Sequence, residues 1–171
     1  LDRATHLKDQ KSKRISEMLT PVVKAFFTDK GFECAVMGQQ VLGGHGYIKD
    51  WGLEQIVRDA RIGQIYEGTN GVQANDLVSR KIVRDGGVTM REFISEMRSA
   101  NLSSDYEQNF FEQCDLLLDL TDHIVNQAKQ DPEFPGSISV DYLDLVGHVV
   151  CAWCWALMAS NATGDDFGRA K

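Results

Sequence analysis

Apolar positions along this chain recur every three to four residues and nowhere alternate in the manner of a strand. Val22, Phe26, Phe32, Val36 and Val41 share one helical face, and Gly43–Gly44 must end that helix. Thr20 as N-cap and Pro21 at the first helical position predict where it begins. Residues 1–14 are polar and read as a linker or trimmed loop. Residues 43–52, GGHGYIKDWG, hold four glycines and predict a loop. A short helix is expected over 53–62, a second loop over 63–71 (GQIYEGTNG) and a helix over 72–84. Gly86–Gly87 stops that helix and marks the clearest domain boundary.

The second half has the same period. A short amphipathic helix is predicted over 88–99. Tyr106, Phe110, Cys114, Leu117, Thr121, Ile124 and Ala128 then recur at steps of three and four, and the run breaks between Asp131-Pro132 and Pro135-Gly136. Ile138, Tyr142, Leu145, Val149, Ala152, Ala156 and Ala159 repeat in the same way, which is the seam of a helix packed nearly antiparallel to its neighbours. Val146, Val150, Trp153 and Leu157 add a second stripe, so this helix is expected deep in a bundle. The fold class predicted is all-α: a helical bundle portion over 20–87 after a segment 1–19, and a second helical unit over 88–171.

Composition narrows the function. Of 171 residues, 43% are hydrophobic and 25% charged, with a formal net charge of −7. An acidic chain of pI near 5.0 argues against a general nucleic-acid binder. No unbroken apolar run reaches the roughly 18 residues of a membrane span. The nearest, 146–160, follows Asp141, Asp144 and His148. The first twenty residues, with Lys8, Lys11, Lys13 and Arg14, do not read as a signal peptide. With Leu1 at the start and no closing signal at Lys171, the chain is expected to be a piece of a longer protein. Four scattered cysteines suggest a reducing compartment rather than a disulfide framework.

Candidate chemistry concentrates between Gln39 and Gln73. Two Gly-rich loops flank a helix bearing Arg58 and Arg61, and Glu67 sits between Tyr66 and Gly68 ahead of the next helix. A carboxylate there is either a general base or a residue favoured by the helix macrodipole. Gly43-Gly44-His45-Gly46 is not a dinucleotide fingerprint, since no strand precedes it, and a helix stop explains its first two glycines. His45 either touches a cofactor or caps the loop. Arg58 and Arg61 serve either an acidic ligand or the neighbouring Asp59 and Asp50. His148, Cys151 and Cys154 tempt a metal or redox reading, but zinc needs four ligands and no second pair is present. Buried thiols among tryptophans are the better account, and no metal is expected.

Taken together, Gln40-Val41-Leu42-Gly43-Gly44-His45-Gly46-Tyr47, Arg58-Asp59-Ala60-Arg61-Ile62 and Gln64-Ile65-Tyr66-Glu67-Gly68-Thr69-Asn70 closely resemble the C-terminal portion of the acyl-CoA dehydrogenase family in order, gaps and residue types. The resemblance covers about residues 20–85. It implies that Glu67 is the catalytic base, removing the α-proton of an acyl-CoA while a hydride leaves the β-carbon for FAD. The physical demand is that the enolate be stabilised by donors and the base be desolvated. It further implies that Gly68 lies against the acyl-CoA, and that Thr69, Asn70 and Gly71 contact FAD. Gln40, Val41, Leu42, Gly43 and Gly44 would contact FAD across a subunit interface. The family often carries a polar residue and Gln where this chain has Asn70-Gly71, so one contact would fall to backbone. Electron-transfer flavoprotein as acceptor, a homodimer or homotetramer, and a cytoplasmic bacterial protein are implied in the same way.

Residues 88–171 lie outside the common family core. Tyr142-Leu143-Asp144-Leu145-Val146 and Trp153-Cys154-Trp155 resemble, more loosely, the bacterial subgroup with an extended helical C-terminal domain, the 3-methylmercaptopropionyl-CoA dehydrogenase-like proteins. Against the enzyme reading stand a helical oligomerisation module without activity, and an acyl-CoA oxidase using the same base. A module that only packs would not need Glu67 and the Gly loop together at this spacing. FAD is expected in the parent protein and not to be retained by these 171 residues alone.

Overall fold

The computed structural model describes residues 9–100, 102 and 104–161. Among them every regular element is helical, as the period predicts. Helix α1 (Gln10–Val22) runs through a widened, π-helical segment at Val23–Phe27 into α2 (Thr28–Val41). A short turn of helix, α3 (Gly44–Tyr47), and a 3-10 turn (Lys49–Trp51) lead to α4 (Leu53–Ile65). Next come α5 (Asn70–Asn75), a second π-helical segment (Asp76–Val83), α6 (Val88–Arg98) and α7 (Ser104–Gln127). Then α8 (Phe134–Ser137) and α9 (Ser139–Asn161) complete the described chain.

The first helix begins well before the expected Thr20–Pro21 start. Asp9 is its N-cap: its carboxylate accepts from the Lys11 N–H at 3.1 Å and the Ser12 hydroxyl at 2.6 Å. The polar stretch read as a linker is, from residue 10, a solvated helix face, with Lys11 paired to Glu96 and Arg14 to Glu92 on α6. The opposite face buries Ile15, Met18 and Val22. Pro21 therefore lies inside a helix, where it has no N–H to donate, and the widened turns follow it directly.

One core cluster draws on both sides of Gly86–Gly87, from Ile15 to Ala156. Met18, Leu77, Ile82, Met90, Ile94, Met97, Leu117, Ile124 and Tyr142 are fully buried in it. Gly86 and Gly87 both take positive φ, and Asp85 caps the turn by accepting from the Gly87 and Thr89 N–H groups at 2.8 and 3.0 Å. On α7 the predicted stripe is the buried one: Phe110, Cys114, Leu117, Thr121 and Ile124. Tyr106 lies outside the residues whose side chains are described.

Helix α9 corrects the expectation of a uniformly deep helix. Its first half seats Tyr142, Leu143, Val146, Val149 and Val150 in the core, with Gly147 against the Phe26 ring. Its second half is covered on one side only: Ala156 stays in the core with Trp153 and Leu157 packed against it, while Trp155 and Met158 are exposed. By length and composition α9 is apolar enough to cross a membrane, a test that core helices also pass, and 28% of its apolar window is buried here. The thiols expected to be buried are not: Cys151 is half-buried and Cys154 exposed, though partial desolvation still raises both, and the His148 ring packs edge-on to Phe26 at 4.9 Å.

Candidate functional site

Helices α2 and α4 lie against each other as a hairpin, with Gly63 facing Thr28 at its open end. Neither helix has a buried residue. Tyr66 to Thr69 form the loop after α4. Thr69 caps α5, accepting from the Val72 N–H at 3.3 Å.

Glu67 is the one non-glycine residue with positive φ among the described residues, at 62°. An L-residue with a side chain pays roughly 1–2 kcal/mol for that conformation, so the surroundings must hold it there. They do so from three sides. The Gln73 amide donates to the Glu67 carbonyl at 2.7 Å. The Lys24 ammonium, 6% exposed, donates to the Gly68 carbonyl at 2.5 Å and the Gln64 carbonyl at 3.3 Å. The Asp29 carboxylate accepts from the side-chain amides of Gln64 at 2.7 Å and Asn70 at 2.6 Å. Gly68, at φ 91°, allows the reversal that follows Glu67.

The Glu67 carboxylate itself has no hydrogen bond or ion pair among the described residues. It is exposed and lines an open, largely apolar cavity of about 460 Å³. Leu19, Val23, Lys24, Thr28, Gly63 and Tyr66 form much of the rest of the wall. A free carboxylate beside an apolar hollow can reach a weakly acidic carbon, but it stands exposed here, and the desolvation that a base needs would have to come from what fills the hollow.

The Gly loop is elsewhere. Gln40 to Gly44 close the far end of the hairpin, one length of α2 from Glu67, or roughly 20 Å at helical rise. They are exposed, Val41 at 84%, and nothing stands within 4 Å of where a Cβ would sit on Gly43 or Gly44. That open backbone fits a bulky ligand presented from outside, as a flavin dinucleotide would be. Near Glu67, Gly71 is equally open and Thr69 retains a hydroxyl proton, whereas the Asn70 amide is engaged by Asp29. The two sets of residues expected to contact FAD are thus apart within the chain, with Thr69, Asn70 and Gly71 beside Glu67 and Gln40–Gly44 at the other end of the hairpin.

His45 meets Trp51 edge-on, ring centres 5.3 Å apart. Arg58 pairs with Glu54 at 3.2 Å and Gln55 at 2.5 Å, so neither Asp59 nor Asp50 is its partner. Arg61 donates to Gln64 at 3.0 Å and lies over the Phe32 ring. Sequence reasoning missed Lys24, Asp29 and Gln73. The one local signal was a lysine on the buried face between Val22 and Phe26.

The description "Acyl-CoA dehydrogenase, C-terminal domain" matches residues 1–82, and "Acetyl-CoA dehydrogenase C-terminal like" matches residues 88–170. The 3-methylmercaptopropionyl-CoA dehydrogenase of Ruegeria pomeroyi is 37% identical over 96% of this chain and 30% of its own length. The chain belongs to the acyl-CoA dehydrogenase family. It corresponds to the C-terminal part of such a protein, spanning less than a third of that relative. The broad-specificity linear acyl-CoA dehydrogenase FadE5 of Mycobacterium tuberculosis is 40% identical over 45% of this chain and 13% of its own. Mitochondrial isobutyryl-CoA dehydrogenase of Bos taurus is 38% identical over 48% of the chain and 19% of its own. At 96% coverage the Ruegeria match takes in the second helical half, where the extended subgroup was expected, whereas the other two matches each cover less than half of the chain.

Proposed function

We propose that the full-length protein carrying this chain is an acyl-CoA dehydrogenase and that Glu67 is its base, taking the α-proton of an acyl-CoA thioester to give the trans-2-enoyl-CoA. The observation that carries this reading is the Glu67 backbone, held in a left-handed conformation by three tethers while its carboxylate stays free beside an apolar cavity. Leu19 and Val23 offer that cavity an apolar wall for the acyl chain, and the Glu67 and Gly68 backbone runs past the thioester. FAD, when bound, accepts the hydride that leaves the β-carbon. Thr69, Asn70 and Gly71 from one copy and Gln40–Gly44 from another would hold it. The separation of the two half-sites within one chain, roughly 20 Å at helical rise, is what supports sharing a cofactor between copies. The exposed apolar side of the α2–α4 hairpin supports a homodimer or homotetramer, and electron-transfer flavoprotein is the proposed acceptor. The Ruegeria relative makes 3-methylmercaptopropionyl-CoA the first substrate to try, beside straight-chain acyl-CoAs.

The test is Glu67→Gln in the full-length flavoprotein. Gln nearly matches the shape of Glu and cannot accept the proton, so turnover should fall by roughly 10²–10⁴ with the flavin spectrum retained. Turnover within about tenfold of the parent would mean that another group takes the proton.

A further inference from the structure

The base stands on a loop that its flanking helices secure at one point only, where the Gln73 amide donates to the Glu67 carbonyl. Helix α4 ends at Ile65 with no basic residue in its last turn, and Tyr66 is already extended. Thr69 caps the next helix and reaches no further back. What joins the two sides of the loop comes from a distant stretch, the π-helical segment and the first turn of α2. Lys24 binds main-chain carbonyls at positions 64 and 68, one on each side of Glu67. One turn on, Asp29 binds side-chain amides at positions 64 and 70, again one on each side. The ammonium places two of its three donors on carbonyls, and both carboxylate oxygens of Asp29 are used. The widened turns that carry Lys24 follow Pro21, and the Thr28 hydroxyl donates to the Lys24 carbonyl, which fixes the ammonium's own support.

We propose that Lys24 and Asp29 are positioning residues that clamp the 64–70 loop and hold the Glu67 backbone in its left-handed conformation, which sets the reach of the carboxylate. Neither touches the reacting atoms. The catalytic consequence rests on the reading of Glu67 as base; the mechanical one does not. Burial of the charge is what gives these bonds their strength: an ammonium largely withdrawn from water that loses its carbonyl partners is left without full compensation.

The two consequences are tested separately. In the 171-residue chain, Lys24→Met removes the donors at similar side-chain length. Cleavage by glutamyl endopeptidase between Glu67 and Gly68, read by mass spectrometry against the exposed Glu133 site, should then rise roughly tenfold, as expected when a hydrogen bond from a charged donor is lost. Asp29→Ala should raise it in the same direction by less, and it decides the matter alone if Lys24→Met does not fold cooperatively. Unchanged cleavage at Glu67 in the folded variants overturns the clamp. In the flavin-loaded full-length protein, Lys24→Met should lower kcat about 10²-fold with KM nearly unchanged, the effect of misplacing a reacting group by about 1 Å. A loosened loop with kcat intact supports the clamp and overturns its catalytic consequence, while Glu67→Gln alone decides the base. A raised KM with kcat intact makes Lys24 a wall of the cavity and overturns its positioning role.

Discussion

Two halves of one continuous helix behave differently. Residues 10–27 bury Ile15, Met18, Val22, Ala25 and Phe26 in the core, whereas α2, from Thr28 on, buries nothing. The apolar spacing is the same on both: Val36 and Val41 continue the stripe begun by Val22 and Phe26, yet are exposed. What changes is the company. The first half has α6, the second π-helical segment and α9 against it, while α2 has α4 along most of its length. The α2–α4 hairpin is therefore a two-helix ledge outside the core, with Met37, Trp51, Ile56, Ile62 and Ile65 uncovered. An apolar face of that size on a piece that spans 30% of a relative marks surface meant for the rest of the protein or for another copy. The loop bearing Glu67 sits where ledge meets core, which is why its tethers come from Lys24 and Asp29 at that junction.

The comparison breaks most readily by truncating one side chain from each region. Leu117→Ala, in the core, should cost about 2–5 kcal/mol in urea unfolding. Ile65→Ala, on the ledge, should stay within about 0.5 kcal/mol, since Ile65 is exposed and Ala is the better helix former. Equal costs would mean that the ledge is covered in solution, and a dependence on protein concentration would say by a second copy.

A smaller effect sharpens how the junction is packed. A Cβ on Gly147 would run into the Phe26 ring, itself wedged edge-on against Phe27 and His148. Gly147→Ala should destabilise by about 1–3 kcal/mol through overpacking. No loss would show that α9 can slide away from the π-helical segment.

The smallest effect is confined to the core. Thr121 gives its own proton to the Leu117 carbonyl at 2.6 Å, so the Tyr142 phenol is the donor in their 2.7 Å bond. Burial pushes that phenol up from its ordinary value near 10. The unfolded chain therefore loses the proton first as pH rises past about 10, and the folded chain keeps it, so stability falls above that pH. Tyr142→Phe should cost about 1 kcal/mol at neutral pH and flatten the alkaline fall, as followed by melting temperature. The same alkaline slope in both proteins would assign it to other groups.

Much of the fold was legible in the residues. The period marked the helices, Gly43–Gly44 and Gly86–Gly87 marked their ends, and the stripe Phe110–Cys114–Leu117–Thr121–Ile124 proved to be the buried face of α7. The first helix was misjudged because Pro21 is a strong local start signal, and only the pairing of Lys11 and Arg14 with α6 shows why the helix runs through it. Glu67 was legible because its neighbours form a motif along the chain. Lys24 and Asp29 were not, because they act on residues 35 to 44 positions away.

The sequence by itself determined that this chain is helical, where most helices stop, and that Glu67 stands in a glycine-flanked loop, because helix period, glycine conformation and motif spacing are properties of neighbours along the chain. Only the tertiary structure decided which apolar stripes are covered, that α9 bares one face in its second half, and that a buried ammonium before α2 and a carboxylate in its first turn hold the Glu67 loop. An amphipathic stripe states that a face can be buried and not what buries it. Burial and tethering depend on pairs brought together across the fold.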